Sequence, residues 1–180
     1  MVKMIAASVA ENDINTKIMK SLLTLMSLGL GEIVGSLSIG PIIDKYPSSI
    51  TTYITLSLIL IQIILALLFV SNPVYGFLCF ALTFFWGLQD SCVNTHLSQL
   101  LGFQFDDNVR PFSAFNVIQS CALFIYLTAE GFVRTKGDQI AFYIISGVLG
   151  LVACTIALRF PQTKKAEASS LPNSGEKTHQ

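Results

Sequence analysis

Three carboxylic acids stand inside otherwise apolar stretches of the chain: Glu32 in GLGEIVGSLSIG, Asp90 in WGLQDSCVNTHLSQLLG and Glu130 in LTAEGF. A charge at the middle of a bilayer costs about 2.5–3.5 kcal/mol on insertion scales, so an acid held there faces other helices or a water-filled path. At helical periodicity Gly87, Asp90, Ser91, Asn94 and Ser98 share one face. A second polar stripe follows in the next segment, Ser113, Asn116 and Ser120, with Gln119 at its edge. Two readings are open. The stripes either glue helices together, at about 0.6 kcal/mol per contact, or line a hydrophilic pathway in which Asp90 binds a cation or proton. Glu32, Asn94, Asn116 and Gln119 are then its further polar members. Glu130 precedes Arg134 by four residues and reads as half of an i, i+4 ion pair near a membrane interface. His96 falls roughly on the helix face opposite Asp90, so the two make no acid–base pair.

Such residues need helices to carry them, and the composition supplies these. Of 180 residues 52% are hydrophobic and 12% charged, with a mean hydropathy of +0.64; ordinary soluble domains carry roughly 25% charged residues. The expectation is an integral, multi-pass membrane protein whose first partner is the lipid bilayer, in a membrane that the residues do not specify. Formal net charge is zero, which argues against nucleic acid as a partner. Crossing about 30 Å of hydrocarbon takes roughly 20 apolar residues in helix. Five stretches qualify, at 21–43, 50–70, 74–101, 112–133 and 140–158, giving an all-α, polytopic transmembrane helical bundle. Turn chemistry separates them: DKYPSS at 44–49, SNP at 71–73, FQFDDNVRP at 103–111 and RTKGDQ at 134–139. Residues 1–20 read as a lead-in or loop, and 161–180, polar and poor in aromatics, as a disordered tail.

Gly31 and Gly35 form a small-xxx-small pair, and Ser36 and Gly40 another, of the kind that lets helix backbones approach closely. Cys79, Cys92, Cys121 and Cys154 lie in apolar stretches without a CxxC pair or metal-ligand spacing, and read as small buried hydrophobes. With no hydrolytic triad, phosphate loop or metal cluster in the sequence, the expectation is a protein that is not an enzyme and holds neither metal nor cofactor. The 11 basic residues divide six against five between the two sides of the five spans, so the positive-inside rule gives no orientation.

Gly40, Asp44 and Lys45 stand at the first loop as G-x-x-x-D-[RK], which resembles a signature of the major facilitator superfamily. Tyr46, Pro47, Ser48 and Ser49 replace the glycine and basic residues that usually follow, so the gating-latch role of that loop does not carry over. WGLQDSCVNTHLSQLLG, RPFSAFNVIQS at 110–120 and GLGEIVG together resemble the C-terminal half of the uncoordinated-93-like branch of that superfamily. The resemblance implies that the five segments are the second to sixth helices of a six-helix half, with the Asp44 loop cytoplasmic. In such transporters substrate sits between two halves near the bilayer midplane. It implies a transmembrane transporter, whose partner is a missing N-terminal half. The alternatives are a non-transporting accessory or regulatory subunit of another membrane protein, an ion channel or receptor, or an inactive truncated fragment.

Overall fold

Asp13 opens the first helix by accepting hydrogen bonds from the backbone N–H groups of Asn15 and Thr16, at 3.4 and 3.1 Å, and from the Thr16 hydroxyl at 2.8 Å. These bonds favour the ionised carboxylate and hold its pKa below the usual value. Helix α1 then runs Ile14–Lys45, seven residues earlier than apolarity places it, because an N-cap rather than hydropathy sets where a helix begins. The computed structural model describes residues 5, 8, 9, 13–46, 48–104 and 109–159. The tail reading at 161–180 and nine of the twenty lead-in residues lie outside them.

Four more helices follow: α2 Ser48–Ser71, α3 Phe77–Gln104, α4 Val109–Phe132 and α5 Lys136–Arg159. Helix α4 starts before Pro111, which lies in its first turn, where a missing N–H breaks no intrahelical bond. Helix α5 begins with a capping box: Thr135 N–H donates to Asp138 and the Asp138 N–H donates to the Thr135 hydroxyl. A helix of 24 residues is about 36 Å long. Four helices, α1, α2, α4 and α5, are long and apolar enough to cross a membrane. Helix α3 has the length, but Gln89, Asp90 and Asn94 stand in its middle and lower its apolarity.

Burial is inverted relative to a soluble protein. Leu22, Met26, Leu30, Ile33 and Leu37 line the outer face of α1 and are exposed, whereas Thr24, Thr51 and Thr83 are fully buried. Five of the hydroxyls on the helices are satisfied locally: Thr24, Thr55, Thr83, Thr128 and Thr155 each donate to the carbonyl four residues back. Apolar outside and hydrogen-bonded polar inside is how a helix bundle sits in lipid. The chain is an all-α, multi-pass membrane protein.

Neighbouring helices are antiparallel where the chain turns back. Gln62 meets Leu82 between α2 and α3, Asn94 meets Gln119 between α3 and α4, and the Tyr126 and Phe142 rings lie 4.8 Å apart between α4 and α5. Helices α1 and α3, two steps apart, therefore run parallel. They form the tightest seam. Residues of α1 that are buried, Ser21, Thr24, Gly31, Gly35, Ile39 and Ile43, recur on one face. Ser27 donates to the Phe80 carbonyl at 3.1 Å, the Tyr75 hydroxyl donates to the Lys20 carbonyl at 3.2 Å, and the Ser36 and Ser91 hydroxyls meet at 2.5 Å. One apolar cluster, Ile39, Ile43, Leu58 and Cys92, closes one end of the bundle, and a second, Ile5, Ala66, Phe69, Cys79 and Leu82, closes the other. Ser36→Ala should lower unfolding stability in detergent by only about 0.6 kcal/mol, as a single interhelical contact does.

Candidate functional site

On a helix, residues four apart differ by about 40° and adjacent ones by about 100°. The polar stripe of α3 is too wide to face one neighbour, and the fold divides it. Gly87 and Ser91 turn to α1; a Cβ on Gly87 would strike the Leu28 carbonyl, and Ser91 bonds Ser36. Asp90 turns the other way, with Trp86, Gln89 and Val93, onto a cavity.

That cavity has a volume of about 490 Å³ and is walled by four helices. Helix α2 contributes Ile59, Gln62 and Ile63, and α3 contributes Trp86, Gln89 and Asp90. From α4 come Gln119 and Tyr126, and from α5 Tyr143, Ser146, Gly147 and Gly150. The two glycines differ: the Ile63 side chain packs into the place a Cβ on Gly147 would take, whereas a Cβ on Gly150 would meet only the Ile59 side chain, at 3.5 Å. A polar relay edges the space. Asn94 Nδ2 donates to Asp90 Oδ2 at 3.1 Å, and Gln119 Nε2 donates to Asn94 Oδ1 at 3.2 Å. The two sequence stripes thus meet across α3 and α4 through Asn94 and Gln119.

Gln62 lies deeper, 8% exposed, with its Nε2 donating to the Leu82 carbonyl at 3.4 Å. Its Oε1 accepts no hydrogen bond, nor does Oε1 of Gln89. Four buried side-chain polar atoms among the described residues are left so, and two of them belong to these cavity-wall amides; Ser21 and Thr51 hold the others. Composition gave no cue to Gln62, which stands alone in the most apolar segment, and no spacing rule joins Trp86, Tyr126 and Tyr143.

Other residues of the expected site are elsewhere. Glu32 is half-buried on α1, which does not wall the cavity; its backbone N lies by Gly87 at the α1–α3 seam. Asn116 is exposed and off the cavity wall; its backbone carbonyl accepts from the Ser120 hydroxyl at 2.8 Å. The relay selects Gln119 over Asn116 because three residues of helix shift the amide by about one turn along the axis and about 60° around it. Gly31 and Gly35 do pack against a helix, α3: a Cβ on Gly31 would strike the Phe84 carbonyl, and one on Gly35 would lie 2.8 Å from the Leu88 carbonyl. Gly40 has nothing within 4 Å of a Cβ, so it turns away from the packed face that Ile39 and Ile43 continue. Asp44 and Lys45 are exposed at the end of α1, with Lys45 Nζ 5.7 Å from the Tyr46 ring centroid. His96 is buried at 6% exposure and does not line the cavity.

Cys79 and Cys92 are buried in the two apolar clusters. Among the described residues no group of three or more His, Cys, Asp or Glu side chains is placed to hold a metal ion. The arrangement can bind and orient a solute through one carboxylate, several amides and three aromatic rings. No protein-family model, no curated protein and no solved structure matches the chain.

Proposed function

We propose that the protein is a transporter-like membrane protein in which Asp90 binds a cation or proton at the four-helix cavity. The observation that carries this reading is the Gln119–Asn94–Asp90 relay at the edge of a space large enough for a solute. What separates the relay from the Ser36–Ser91 contact at the α1–α3 seam is the cavity, which Asp90 and Gln119 line and the two serines do not. The resemblance of Gly40, Asp44 and Lys45 to a signature of the major facilitator superfamily, and of residues 29–35, 86–102 and 110–120 to its uncoordinated-93-like branch, supports transport and rests on those residues themselves. Reconstituted into vesicles loaded with a pH-sensitive dye, the protein should dissipate an imposed proton or alkali-cation gradient faster than protein-free vesicles. Asp90→Asn should return the rate to that of empty vesicles. Equal rates for wild type and variant, at equal incorporation, would remove Asp90 from any pathway.

A second reading has its own observation. Helix α4 buries none of its residues, and Val117, Phe124 and Phe132 on it are exposed. An accessory subunit, bound to another membrane protein along α4, would cover this surface. Recovery of no membrane partner in mild detergent would eliminate that alternative.

A further inference from the structure

We propose that the cavity binds a small organic ammonium ion, with Asp90 as its counter-charge and the rings of Trp86, Tyr126 and Tyr143 beside its hydrocarbon body. This deepens the reading of the cavity as a solute site and rests on it. Among the described residues Asp90 is the one carboxylate on the cavity wall, and only one of its oxygens is taken, by Asn94. A ligand meeting the other oxygen must be a donor, and an anion or a pure acceptor would leave it unpaired.

Charge leads to the same class. No lysine, arginine or histidine among the described residues lines the cavity, so the charge of Asp90 has no basic partner on that wall. An inorganic divalent cation wants six or more oxygens, or several retained waters, and most of this lining is apolar or aromatic. The rings of Trp86, Tyr126 and Tyr143 suit an ammonium group carried on a hydrocarbon body, through cation–π attraction and apolar contact. The volume of about 490 Å³ falls in the range of small-molecule pockets, roughly 300–1,000 Å³.

Trp86 is the single tryptophan of the chain and stands on the cavity wall, so its emission reports occupancy. The full chain in lipid nanodiscs is titrated with three probes of one shape: 3-phenylpropylammonium, 3-phenylpropanol and 3-phenylpropanoate. The ammonium should give a saturable change in Trp86 emission, the alcohol should bind about tenfold or more weakly, and the carboxylate should not bind. Asp90→Asn should bring the ammonium down to the affinity of the alcohol, and Asp90→Glu should keep the preference. Alcohol or carboxylate binding as tightly as the ammonium to wild type would overturn the ammonium assignment while leaving a solute site in place. No saturable change with any probe would overturn the solute site itself. The wild-type comparison decides both points even where a variant fails to fold.

Discussion

Gly87→Val is expected to collapse the yield of folded protein. The α1 and α3 backbones touch at Gly31, Gly35 and Gly87, and a Cβ on Gly87 would fall on the Leu28 carbonyl and 3.1 Å from the Glu32 backbone N. Neither group can rotate aside, so the helices must separate along a seam that also carries the Ser36–Ser91 and Ser27–Phe80 hydrogen bonds. Overpacking of this kind costs about 1–3 kcal/mol and occasionally more, and loss of the shared seam puts this case at the upper end. Gly40→Ala is the matched control. Nothing lies within 4 Å of a Cβ there, and alanine favours helix over glycine by about 1 kcal/mol. Monodisperse yield and thermal unfolding in detergent should fall sharply for the first variant and hold or rise for the second.

Gly150→Phe is expected to abolish occupancy of the cavity while leaving the bundle intact. A Cβ on Gly150 meets only the Ile59 side chain, at 3.5 Å and beyond, which is ordinary contact. The added ring must occupy space among Ile59, Gln62, Tyr143 and Gly147 that a solute would use. Trp86 emission should stop responding to 3-phenylpropylammonium, with the helical circular-dichroism signal unchanged. An unaltered titration would mean that the probe binds elsewhere.

Much of this arrangement is written in the chain. The five apolar segments correspond to the five helices, Gly31 and Gly35 already mark the close face of α1, and the polar runs of α3 and α4 do meet. What escapes a one-dimensional reading is angular and tertiary. Gly87, Asp90 and Asn94 look like one stripe, yet only neighbours in space decide that Gly87 serves α1 while Asp90 serves the cavity. Gln119 rather than Asn116 completes the relay for the same reason. Gln62 carries no local signal at all, because its meaning comes from the Leu82 carbonyl 20 residues away. Helix limits moved where caps overrode hydropathy, as Asp13 and Thr135 do for α1 and α5.

On the proposed reading Asp90 and Gln119 face an aqueous space within the membrane. Cysteine accessibility tests it directly, in a chain whose Cys79, Cys92, Cys121 and Cys154 are replaced by alanine. Asp90→Cys, Gln119→Cys and, on the outer face of α4, Phe124→Cys are each treated in membranes with a charged, membrane-impermeant methanethiosulfonate. The expected result is modification at 90 and 119 and none at 124, where lipid surrounds the side chain and the thiolate does not form. Positions 90 and 119 as inert as 124 would contradict the claim and leave the relay as helix glue.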